Sequence, residues 1–76
     1  MKLQIFAVLD LKAQAYMQPF FQHNKATAER TIANCKADPK HPLGQNPDDY
    51  MLFHLGVYDD ASASFELLEF PDKVGP

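Results

Sequence analysis

A chain of 76 residues, 46% of them hydrophobic and 22% charged, holds one small domain, because a chain this short buries only about 60% of the surface its unfolded form exposes. The lone Cys35 excludes an internal disulfide and points to a reducing compartment, and no apolar run approaches the ~20 residues of a spanning helix, so a soluble chain without a signal peptide is expected. The net charge of −3 is uneven, with +3 over residues 1–40 and −6 over residues 41–76, a split that can steer a polyanion to the first part or one copy's basic part to another's acidic part.

In chain order, Leu3, Ile5, Ala7, Leu9 and Leu11 alternate with Lys2, Gln4, Phe6, Val8, Asp10 and Lys12, and this period of two predicts a strand with its odd face in the core. Residues 16–22 form a second, aromatic strand that Pro19 confines to an edge or a bulge, since proline donates no ladder hydrogen bond. Asn24 then caps a helix over residues 25–37, with Ala28, Thr31, Ile32 and Cys35 on one stripe. Asp38-Pro39 ends it, and the three prolines, Gly44 and Asn46 of residues 39–47 read as an ordered loop. Met51, Phe53, Leu55 and Val57 alternate in a third strand. Residues 59–63 form a turn, and residues 64–70 a fourth strand that closes a hairpin.

The fold expected is α+β: a small, mostly antiparallel sheet in ββαββ order with one helix on one face, over residues 1–70, followed by a tail at residues 71–76. One helix covers one face only. The other face, assigned here to Phe6, Val8, Tyr50, Leu52, His54 and Tyr58, is too apolar for water and is the expected interface of a homo-oligomer, a dimer being favoured.

No residue set announces a reaction. Asp48-Asp49 and Asp59-Asp60 flank one strand roughly 30 Å apart at about 3.3 Å per residue, too far for one two-carboxylate site. His23, His41 and His54 lack ligand spacing, and the three glycines stand singly, so neither catalytic residues, a metal nor a cofactor is expected. Nine aromatics are the one compositional excess. Interleaved with cations they suit unpaired bases, as Phe6, Tyr16 and Phe20 are with Lys2, Lys12 and Lys25, and Lys2, Lys12, Tyr16, Phe20, Lys25 and Arg30 are the candidate DNA-binding residues. A small domain also needs such side chains simply to fill its core.

Several short motifs in order carry a resemblance: Phe6, Asp10 and Lys12, then Tyr16-x-x-Pro19-Phe20-Phe21, Ala28-x-Arg30, Asp38-Pro39, and Pro47-x-Asp49-Tyr50-x-Leu52-x-x-Leu55-Gly56-x-Tyr58-Asp59-Asp60. Over nearly the whole chain this resembles the small nonstructural protein of the gokushoviruses, single-stranded DNA phages of the microvirus family. Ile32 stands where the family suggests phenylalanine, and the turn after Asp60 lacks an expected glycine. The resemblance implies a noncatalytic protein of the host cytoplasm, absent from the virion and associated with DNA. It is likened to protein C of other microviruses, which diverts the genome from duplex replication to single-strand packaging. Single-stranded DNA, a phage replication protein and the procapsid are the partners it suggests, and no membrane. The alternative is an interaction module that binds the replication machinery or procapsid without touching DNA.

Overall fold

A computed structural model describes residues 1–75, and its strands and main helix follow the expected ββαββ plan with additions. Strand β1 (Lys2–Asp10) lies at the centre of an antiparallel sheet. On one side it pairs with β2 (Ala15–Tyr16) and β3 (Phe20–Gln22), on the other with β4 (Tyr50–Asp59), which in turn pairs with β5 (Ser64–Lys73). The second expected strand is thus two short ones, and Pro19 falls in the gap, where no ladder bond is asked of it.

Helix α1 (Lys25–Ala37) begins where Asn24 Oδ1 accepts a 2.8 Å hydrogen bond from the Thr27 amide, and ends at Asp38, whose extended backbone suits the following proline. Its small stripe lets it lie close on the sheet: Ala28 is fully buried, and Ile32 and Cys35 pack beside it. The expected loop after α1 contains a further element, the one-turn helix α2 (Pro42–Gln45), which drives Leu43 into the core. Gly44 permits this. A Cβ there would stand 1.8 Å from the Asp38 carbonyl oxygen.

Helix α1 covers the face opposite to the one expected. Phe6, Val8 and Leu52 are buried against Ala28, Leu43 and Val74, with Phe20 and Tyr50 packed on the same cluster. His54 is buried there too, held by a 2.8 Å hydrogen bond to Gln4 Oε1 and set 5.2 Å from the Phe6 ring. Of the six residues expected at an oligomer interface, Phe6, Val8, Leu52 and His54 are therefore core, and Tyr50 abuts it. Only Tyr58 lies on the open face. The physical reason is that β1 is apolar on both sides: Ile5 and Ala7 are as buried as Phe6 and Val8. Periodicity locates two faces without saying which one the helix takes.

Two irregularities shape the rest. His54 opposes Phe6 and Gly56 opposes Ile5, which leaves Leu55 unpaired and moves Val57 to the helix side and Tyr58 to the open side. In the β4–β5 pairing Leu67 opposes Gly56 while Asp72 opposes His54, so residues 68–71 loop out against the single Leu55. Beyond that loop the strand resumes. The Val74 amide donates to the Leu52 carbonyl at 2.9 Å, and Val74 joins the core. Residues 71–75 are thus structural rather than the tail expected from residue 71.

Candidate functional site

Directly opposed residues of antiparallel strands share a face, so the register assembles the open side of the sheet. Leu9 opposes Tyr16 and Ile5 opposes Phe21 on one flank. On the other, Ala7 opposes Phe53 and Leu3 opposes Tyr58, and Tyr58 in turn opposes Phe65. Five aromatic rings consequently stand over a floor of small and aliphatic side chains. They form two groups. Tyr16 meets Phe53 edge to face at 5.7 Å, and Tyr58 contacts Phe21 at 5.7 Å and Phe65 at 4.8 Å. Tyr16, Phe21 and Phe65 remain 46%, 45% and 60% exposed, enough ring surface to receive a ligand, while the rings together shield Ile5 and Ala7 from water.

The cations do not gather on this face. Among the described residues its register positions carry one, Lys73, opposite Phe53. Lys2 opposes Asp59 on the helix side at one end of β1, and Lys12 lies in the turn beyond the other end, where Asp10 Oδ1 accepts hydrogen bonds from the Lys12 and Ala13 amides. Lys25 sits 3.5 Å from Asp72 in an exposed ion pair, and Arg30 is exposed on α1. Phe20 stacks on Phe6 at 5.9 Å inside the core. The six candidate DNA-binding residues are therefore dispersed, with Tyr16 alone placed among exposed rings.

Sequence reasoning missed Phe21, Phe53 and Phe65 as surface groups. The signal for Phe21 was present: Phe20 and Phe21 are adjacent in a strand, so one must face away from the core. Phe53 and Phe65 needed the face of β4 to be known first.

Elsewhere the chemistry is sparse. Asp48 and Asp49 form a 3₁₀ turn (Pro47–Asp49) at one end of β4, and Asp59 and Asp60 occupy the other. Asp60 Oδ1 accepts a 2.7 Å hydrogen bond from the Met1 amino group, an exposed contact that raises the amino pKa above its ordinary 8.0. Among the described residues no three His, Cys, Asp or Glu side chains are grouped to hold a metal ion, and no helix is long and apolar enough to cross a membrane. Cys35 is half-buried with a free thiol.

Comparison with known proteins turns on one match: residues 3–75 fit the model of the family described as Phage ORF5 protein. The chain belongs to that family. The match takes in every strand and helix described above except the first residue of β1, so the aromatic face and the core beneath it are parts of one Phage ORF5 domain. No curated protein and no solved structure matches the chain.

Proposed function

We propose that this Phage ORF5 protein is a noncatalytic accessory protein of a single-stranded DNA phage, of the gokushovirus kind within the microviruses. It associates with the phage's single-stranded DNA in the host cytoplasm and promotes the passage from duplex replication to genome packaging. The observation that carries the reading is the open sheet face, where Tyr16 and Phe21, each nearly half exposed, offer rings on which unpaired bases can stack. A duplex hides its base faces, so this chemistry selects single strands.

One observation favours a second reading. With Lys73 as the single cation in register on that face, little phosphate neutralisation is available, and an apolar, weakly charged surface also suits a protein such as the replication protein or procapsid.

Gel-shift titration of single-stranded and duplex DNA at two salt concentrations separates the two. For a DNA-binding protein, Tyr16→Ala or Phe21→Ala should each cost about 1–3 kcal/mol of affinity with the salt slope unchanged. Lys73→Ala should lower that slope by roughly 0.7. Undetectable binding to single strands at low salt would leave the interaction-module reading.

A further inference from the structure

We propose that β5 is the docking strand for a second copy of this chain, the two strands pairing antiparallel across a two-fold axis so that two sheets continue as one. Strand β5 is hydrogen-bonded on one side only, to β4, which leaves a row of backbone donors and acceptors along its outer edge. The opposite edge of the sheet is blunted, being made of strands of two and three residues broken at Pro19. Among the described residues β5 offers the longer regular edge, residues 64–67, with the looped-out stretch 68–71 beside it.

Its side chains have the composition of an interface. Phe65, Leu67, Leu68 and Phe70 are 60%, 68%, 42% and 74% exposed, although each is large and apolar. At about 150–250 Å² per aromatic side chain and somewhat less per leucine, they show on the order of 450 Å² to water. A standard interface buries about 800 Å² per partner, a little over half of it apolar, so one β5 supplies the apolar share. The whole chain points the same way: its accessible surface is 5212 Å², whereas a folded monomer of 8.6 kDa is expected to show about 4,700 Å². A two-fold pairing of identical strands makes the contact self-complementary and closed, which favours a second copy over an unrelated partner. Glu66 and Glu69 are the charges of residues 64–70, and they bar a polyanion from this edge. The aromatic faces of the two copies would join, since Phe65 and Leu67 share the side of Tyr58.

Sedimentation velocity over a concentration series up to the high micromolar range tests this. The expected mass is twice the 8.6 kDa of the chain. The double variant Leu68→Lys, Phe70→Lys should weaken association at least tenfold, about 1.4 kcal/mol, with an unchanged circular dichroism spectrum, because both residues lie in the looped-out stretch without a ladder partner on β4. Phe21→Lys should leave the dimer intact. Association should strengthen from about 0.05 to about 0.5 M salt as the Glu66 and Glu69 carboxylates of two copies are screened. Should the double variant misfold, single cysteines placed in turn at residues 64–68 of a Cys35→Ser chain decide instead. A disulfide-linked dimer from one position or two adjacent ones is expected, since the axis brings a residue opposite itself. A monomer at every concentration, or a dimer dispersed by Phe21→Lys and indifferent to the β5 changes, would overturn the proposal. The test is independent of DNA binding, which β5 variants distant from Tyr16 and Phe21 leave to be measured separately.

Discussion

Phe20 and Phe21 are neighbours in one three-residue strand and belong to different chemistries. Phe20 lies opposite Phe6 and stacks on it beneath α1, whereas Phe21 lies opposite Ile5, 45% exposed, in contact with Tyr58. The same contrast holds for the whole sheet. On the helix side the large side chains are closed in by Ala28, Leu43 and Val74 and serve stability. On the open side they are held in register by backbone pairing, yet keep ring surface free. A sheet whose central strand is buried on both faces can thus dedicate one face to the core and present aromatic groups on the other. The rings that cover Ile5 and Ala7 from above are the ones available to a partner.

Substitutions that treat the two faces alike sharpen this contrast. The largest expected effect is that of Phe6→Ala, about 3–5 kcal/mol of unfolding free energy in a urea titration, since Phe6 is fully buried. Phe21→Ala should stay within about 1 kcal/mol, because nearly half of the ring is already in water; equal losses at both sites would mean that the open face is core as well. Next comes Gly44→Ala, expected to cost about 1–3 kcal/mol or to displace α2. The added Cβ meets the Asp38 carbonyl at 1.8 Å, and loss of α2 would withdraw Leu43 from the helix side alone. Hydrogen exchange should then rise around α1 before it rises at Tyr58.

Smaller effects come from the hairpin that carries half of the open face. Ala63 has φ 56° in the β4–β5 turn, a left-handed conformation that glycine adopts without strain. Ala63→Gly should raise stability by about 0.5–1 kcal/mol in thermal unfolding. The smallest effect concerns the Met1 amino group. Its raised pKa means that its pairing with Asp60 contributes fully below about pH 8.0 and is lost as pH rises through the higher folded value. Because the pair is exposed, Asp60→Asn should abolish only a slight stability loss between neutral and alkaline pH, seen by melting temperature.

Much of the fold was legible in the residues. The bounds of α1 follow from Asn24 and Asp38-Pro39, because capping and proline sterics are local. The strand order of elements follows from period-two alternation. What the residues could not disclose was non-local. The choice of face required knowing that α2 and Val74 would complete a cluster around Phe6, and α2 is a single turn with Leu43 as its only buried residue. The bulge at Leu55 is marked locally by Gly56 alone, an isolated glycine within a strand, yet it reverses the side taken by Val57 and Tyr58. Pro71 reads as a strand ending because proline breaks a ladder. Here it sits in the looped-out stretch, and β5 continues past it. The candidate site was therefore read as a type of surface, one uncovered apolar face, while most of its residues were assigned to the wrong side.

The stretch of residues 68–71 also changes what this domain can tolerate in evolution. Most insertions within a strand slip its register and turn every later side chain to the other face. In β5 the slack already exists: residues 64–67 are fixed by the hairpin turn, and Asp72 and Lys73 are fixed against His54 and Phe53. A residue gained or lost between those anchors would alter the size of the loop and leave Val74 in the core. The register of this edge is thereby uncoupled from the domain behind it.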